Sequence, residues 1–344
     1  MPESFGTLPG GQPVVRHTLD RGGLRLRVLS YGALVQSLEL DGVNVALGFD
    51  NLGDYVERNS PGPYLGATIG RFANRIADGR FTLDGRKHRL DRNDGPNALH
   101  GGADGFDRRL WTVVERTEHA VRLRHTSPDG EEGYPGTLTV EVLYELQPGG
   151  VVGIAYHAVT DKPTVVNLTN HTSFNLAGEG SGTVDGHELE VRASRYLPVD
   201  LTAIPAGGPA PVTGTPLDFT RPAAIGPRIR THHAQLAIGQ GIDHAYVLDH
   251  DEGLGLAVRL SDPASGRTLE VRTTEPGLQV YTGNFLDGSL VGSGGRTYRQ
   301  GDGIALETQH HPDSPNRPDF PSTVLRPGEA FASRTEWRLI DRPR

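Results

Sequence analysis

The chain has no cysteine and only one methionine in 344 residues. Disulfides, thiolate metal sites and cysteine nucleophiles are excluded, and thiols say nothing about redox compartment. Lysine is nearly missing too: Lys87 and Lys162 are the only two, so arginine supplies the rest of the 34 basic side chains. Against 42 acidic residues this leaves a formal net charge of −8, with no run of Lys/Arg to grip phosphates. Nucleic acid is not an expected partner. No apolar stretch approaches the roughly 18 residues of a membrane span, and the segment from Met1 to Gly10 lacks the basic and apolar regions of a secretory signal. The expectation is a cytoplasmic protein without membrane contact.

Further absences remove whole classes of chemistry. Neither lysine follows glycines at P-loop spacing, and no Gly-x-Ser-x-Gly elbow occurs. The 14 histidines include no His-Glu-x-x-His, and the pairs His232-His233 and His310-His311 are chain neighbours that a strand would point to opposite faces. No metal or other cofactor is expected. Asn167-Leu-Thr169 and Asn170-His-Thr172 match glycosylation sequons only formally.

What the chain has in quantity is turn punctuation, with 46 glycines and 25 prolines scattered between short apolar runs. Apolar and polar residues alternate over 24–28, 121–124 and 138–146, the pattern of half-buried strands. Asp84-Gly85 between Phe81-Thr-Leu83 and the segment ending at Leu90 signals a tight hairpin; Asp41-Gly42 and Asp129-Gly130 are similar. Helical periodicity is not sustained anywhere, and the candidate at 223–229 is broken by Gly226 and Pro227. The Pro/Gly/Ala-rich stretch 203–216 reads as a long surface loop rather than a linker, because strand-like sequence continues on both sides. The prediction is an all-β chain, a large antiparallel β-sandwich forming one domain over 1–344, without internal repeat.

Three segments combine polar residues with apolar strand flanks. The first runs from Gly66 to Gly79 and contains Asn74 and Arg75; His100 follows within Gly95-Pro-Asn-Ala-Leu-His-Gly-Gly102. The second is Val165-Val-Asn-Leu-Thr-Asn-His-Thr-Ser-Phe-Asn-Leu176, and the third is Gly303-Ile-Ala-Leu-Glu-Thr-Gln309. Taken in order with Gly105-Phe-Asp-Arg-Arg-Leu-Trp111, Gly214-Thr-Pro-Leu-Asp-Phe219, Gly241-Ile-Asp-His244 and Pro276-Gly-Leu-Gln-Val-Tyr-Thr-Gly-Asn284, they make the chain resemble the aldose 1-epimerase, or galactose mutarotase, family from about Phe5 to Trp337.

The resemblance implies a sandwich with an open sugar-binding cleft. It implies His171 as general acid and Glu307 as general base, with Asn74, Arg75, His100, Asp243, Gln279 and Tyr281 contacting the sugar. His100 could bind or assist catalysis. One departure stands out: the family usually carries an aromatic residue two positions after the acid, and here Ser173 occupies that place, which bears on sugar preference.

These residue types suit the implied reaction. Interconverting anomers needs a base for the C1 hydroxyl proton and an acid for the ring oxygen, and a carboxylate and an imidazole titrate close enough to neutrality to exchange protons. Arg75 is a planar, permanently charged donor and Asp243 an acceptor for hydroxyls. The expected partner is a small sugar, and the protein could be a monomer or a homodimer. Two other readings remain open: an epimerase acting on hexose 6-phosphates, and a noncatalytic carbohydrate-binding protein.

Overall fold

The alternation at 138–146 becomes the strand Leu138–Gln147, whose side chains are buried and half-buried in strict turn. It pairs along its whole length with Val151–Thr160, from Leu138 opposite Thr160 to Gln147 opposite Val151. The two lie inside a nine-stranded antiparallel sheet that starts at Thr112–Arg116 and Ala120–Ser127. It continues past them through Phe331–Asp341, Arg267–Thr273, Gly255–Ser261 and Glu188–Val191 to Ala223–Ala224. The computed structural model describes residues 2–249 and 253–341.

A six-stranded sheet packs on this one, in the order Ser173–Phe174, Ile304–Gln309, Gly277–Tyr281, Asp243–Val247, Arg195–Tyr196 and Ala210–Pro211. A five-stranded meander from Glu3–Thr7 to Val43–Asn44 extends the sandwich. Leu26 and Val35 of the meander, Val142 and Trp337 of the large sheet, and Leu278 and Leu306 of the six-stranded sheet belong to one buried apolar cluster. Across the layers Phe174 meets Trp337 edge to face at 5.1 Å. Truncating either ring to alanine would cost about 3–5 kcal/mol, the range for large aromatic side chains in close-packed cores.

The same contacts orient the strand that matters most. Thr308 Oγ1 lies 2.6 Å from Thr335 Oγ1 on the large sheet. With a period of two, Ile304, Leu306 and Thr308 therefore face the core, and Ala305, Glu307 and Gln309 face the opposite side. All six residues of this strand are buried.

Two details differ from the sequence reading. Gly226 and Pro227 do not prevent a helix: Ile225–Ile229 forms a single short one. Pro227 sits in its first turn, where the missing N–H would have no partner in any case. The stretch 203–216 is not free surface throughout, because Ala210–Pro211 adds to the edge of the six-stranded sheet and Val212 is fully buried. Helices also form at Leu52–Arg58, capped by Asn51, and at Ala234–Gly239, capped by His233, both too short to carry a helical period in sequence. Among the described residues no helix is long and apolar enough to cross a membrane.

Asp84 and Gly85 both have positive φ, 49° and 77°, and join Arg80–Leu83 to Arg86–Arg89 in a two-residue turn of the type I′ class. A Cβ on Gly85 would meet nothing within 4 Å, so only the backbone resists substitution. Gly85→Ala is expected to lower unfolding free energy by about 1–2 kcal/mol, read as a lower urea midpoint at unchanged slope. An unchanged midpoint would contradict the turn geometry.

Candidate active site

The three polar segments, far apart in sequence, are hydrogen-bonded to one another. Thr169 and Asn170 pair with Ile69 and Thr68, joining the second segment to the first. Ser173 and Phe174 pair with Ala305 and Ile304, joining the second to the third. Ala98 and Leu99 pair with Ile76 and Arg75, which brings in His100. His171 lies between the two short pairings, its N–H on Ala67 O and its carbonyl accepting from Gly66 N–H, at 2.9 and 3.0 Å.

The asparagines of the second segment serve as braces. Asn170 donates to Gly66 O and accepts from Thr172 N–H, and Asn167 donates to Ala73 O while accepting from His310 N–H. Side-chain amides here replace ladder bonds that the broken strands cannot make. Close backbone approach does the rest: a Cβ at Gly101, whose φ is 92°, would come within 1.9 Å of Gly70 O. Asn74 and His100 themselves hold left-handed φ values of 65° and 52°, and each bonds the other's backbone or ring. Strain of this kind persists only where the surroundings over-determine it.

These elements wall an open cleft of about 460 Å³ that includes Asn74, Arg75, His100, His171, Asp243, Tyr281 and Glu307. His171 Nε2 stands 3.5 Å from Glu307 Oε1, and the residues are only 5% and 2% exposed. Burial pushes Glu307 well above the ordinary carboxylate range, Asp243 pushes it further, and Arg75 pulls it back. Burial also lowers His171, to about 4, although Asp243 opposes this. Both shifts disfavour charge, so a proton shared by the pair is favoured on the carboxyl side over the ion pair.

Around the pair the charges are fixed. Arg75 Nε donates to Asp94 at 2.7 Å, and its Nη1 lies 3.9 Å from Asp243. Gln279 donates to Asp243 Oδ1 at 2.6 Å. Gln279 neighbours Glu307 across the ladder, but it does not line the cleft and reaches it only through Asp243.

Ser173 is likewise off the wall. It packs against Gly303, where an added Cβ would be 3.3 Å from its own, and its carbonyl accepts from Leu47 N–H. The residue that breaks the family pattern thus lies behind the site, and any effect on sugar preference would have to pass through the packing there.

His100, His171 and Glu307 each offer a donor atom within 4.8 Å of the others, a set that could be read as a metal site. The tautomer speaks against it. His100 Nδ1 accepts the Asn74 backbone N–H at 3.2 Å, so the neutral ring carries its proton on Nε2, the only nitrogen left for a ligand. A metal there would drive the proton to Nδ1, against that N–H, where metal-bound histidines need an acceptor. The arrangement suits a hydrogen-bond donor. The neighbouring histidine pairs also have other uses: His310 contacts Glu275 at 2.6 Å, His311 packs on Phe320, and His233 caps a helix.

Sequence reasoning missed Tyr64, Asp94 and the rim residue Phe285, all of which line the cleft. Asp94 immediately precedes the quoted Gly95 segment. Tyr64 follows Pro61-Gly62-Pro63, punctuation that reads as an ordinary loop.

Comparison with known proteins agrees with this geometry. Residues 15–338 match the family model described as aldose 1-epimerase. A galactose mutarotase from Rattus norvegicus is 44% identical over 339 residues, covering 97% of this chain and 96% of the relative. An aldose 1-epimerase from Escherichia coli (strain K12) is 39% identical over 347 residues, covering 98% and 99%. The crystal structure of a galactose 1-epimerase from Lactobacillus acidophilus superposes with a TM-score of 0.87 at 30% identity, covering 99% of this chain and 98% of the other. Sequence and architecture therefore agree over nearly the whole length, and the chain belongs to the aldose 1-epimerase family.

Proposed function

We propose that this protein is a mutarotase, an isomerase that interconverts the α and β anomers of free aldoses such as galactose and glucose. The observation that carries the reading is the buried His171–Glu307 pair at 3.5 Å inside an open cleft walled by Arg75, Asp243 and His100. Sugar hydroxyls and Arg75 favour the charged form of the pair on binding, moving the shared proton from Glu307 to His171.

Glu307 then takes the proton from the C1 hydroxyl as the C1–ring oxygen bond breaks, and His171 gives its proton to the departing ring oxygen. The open-chain aldehyde rotates about C1–C2. Reclosure runs the same transfers backwards on the other face of the carbonyl, and the pair regains its starting state without any further reactant. Asn74, Arg75, Asp243 and the Nε2–H of His100 hold the hydroxyls, and Tyr281 forms a wall. Gln279 steadies Asp243 from behind.

No observation favours a phosphorylated substrate. The two cleft arginines are already engaged, Arg58 with Asp54 at 3.3 Å and Arg75 with Asp94 and Asp243, and Asp94 and Asp287 also line the opening. A dianion would meet more negative than free positive charge.

Polarimetry on freshly dissolved α-D-galactose and α-D-glucose tests the reading. Wild type should accelerate mutarotation, and Glu307→Gln or His171→Asn should each lose about 10²–10⁴-fold in rate, the usual contribution of a positioned proton-transfer group. No acceleration of any common aldose by wild type would favour a noncatalytic binder.

The pH profile follows from the same pair. Its one-proton form is bounded below by protonation of His171, near about 4, and above by ionisation of the raised Glu307. Below the lower bound no base remains, and above the upper bound no acid remains. The profile of kcat/KM should therefore be a bell whose limits belong to the pair jointly. A single step centred near the ordinary imidazole value of about 6.5 would contradict this.

A further inference from the structure

An acid in a concerted proton transfer is normally oriented by a hydrogen bond to its second nitrogen. His171 has no such orienter: its Nδ1 is buried without a hydrogen-bond partner among the described residues, and Glu307 contacts only the other side of the ring. Among the described residues, the groups that flank the ring are other rings packed against it. Three rings touch it or its neighbour. Tyr64 lies 4.7 Å from His100 at an interplanar angle of 64° and 5.9 Å from His171 at 45°, while the two imidazoles stand 5.4 Å apart and perpendicular. Tyr281 closes the far side of His171 at 6.3 Å.

Tyr64 is itself held with unusual firmness. Its φ is 49°, in the left-handed region that a bulky residue enters only under constraint. Asn59 supplies that constraint from three atoms: its carbonyl accepts from Tyr64 N–H, and its side chain both accepts from Leu65 N–H and donates to Leu65 O. Asn59 caps the helix Leu52–Arg58, so the tyrosine is anchored to a regular element. The ring is 4% exposed and lines the cleft.

We propose that Tyr64 is a positioning residue for the mutarotase reaction: its ring is the third member of a triangle with His100 and His171 that sets the direction of both imidazoles and keeps water from the His171–Glu307 pair. This rests on the reading of that pair as the catalytic acid and base. Burial keeps the phenol itself protonated, up to about 12, so it exchanges no proton near neutrality and acts through the histidines alone. The groups facing His171 are Glu307, His100, Tyr281 and Tyr64, with Asp243 and Arg75 beyond them. Among the described aromatic rings other than the two imidazoles themselves, Tyr64 is the one that packs on both, at 4.7 and 5.9 Å.

The test compares Tyr64→Leu and Tyr64→Phe with wild type, each checked for folding by circular dichroism. Wild-type mutarotation decides the functional reading separately, so failure of the positioning role leaves a distinct result. Tyr64→Leu, which keeps bulk but loses the flat ring, should lower kcat by about 10–100-fold, the scale of an ångström's misplacement, with KM changed far less. In ¹⁵N-imidazole NMR its His171 should titrate nearer the ordinary imidazole range than it does in wild type, because water reaches the ring. Tyr64→Phe should rescue the rate to within about threefold, because the ring alone is required. A folded Tyr64→Leu with native kcat and native His171 titration would overturn the proposal. So would a Tyr64→Phe that loses more than about tenfold in kcat, whether or not the leucine variant folds.

Discussion

The structure turns on one contact made in a dry place: an imidazole and a carboxyl 3.5 Å apart, both almost wholly buried. In water such a pair would be an unremarkable ion pair with proton affinities two units apart. Removed from water, each group resists its own charge, and the two affinities cross. The shared proton then rests on Glu307, and the bound sugar must favour the charged form before it passes to His171. Arg75 and Asp243 pull Glu307 in opposite directions, so their balance sets how readily the bound sugar converts the neutral pair into the charged one.

The fold serves this contact by placing it where regular structure ends. Ile304–Gln309 is a full strand whose alternate residues bind the core, so Glu307 cannot turn without disturbing Leu306 and Thr308. His171 sits instead between two-residue strands, held by asparagine side chains and by backbone approaches that only glycine allows. One partner is thus fixed by sheet geometry and the other by local bracing and packed rings. That asymmetry accounts for the clustering of left-handed residues, Tyr64, Asn74 and His100, around the histidine rather than the carboxylate.

Much of this was legible in the amino-acid order. Strict alternation at 138–146 and the Asp84-Gly85 turn carry their geometry locally, and both appear as read. The polar segments drew notice because asparagine and histidine between apolar strand flanks need a reason, and they prove to be mutual neighbours. Which side of a broken strand a residue faces is not a local property. Ser173 follows His171 by two, as cleft residues on one strand would, yet the strand is broken between Asn170 and Ser173, and Ser173 packs on Gly303. Tyr64 was invisible for the opposite reason: nothing in Pro61-Gly62-Pro63-Tyr64 announces a tyrosine whose backbone, with that of Leu65, Asn59 will hold beside two histidines.

Whether the two groups work as a unit is open to direct measurement by a double-mutant cycle on mutarotation rate, with Glu307→Gln, His171→Asn and both together. Groups that share one proton fail together, so the double variant should be about as slow as either single one. Losses that multiply, each single change costing its own independent factor, would contradict a shared proton and with it the account of the site.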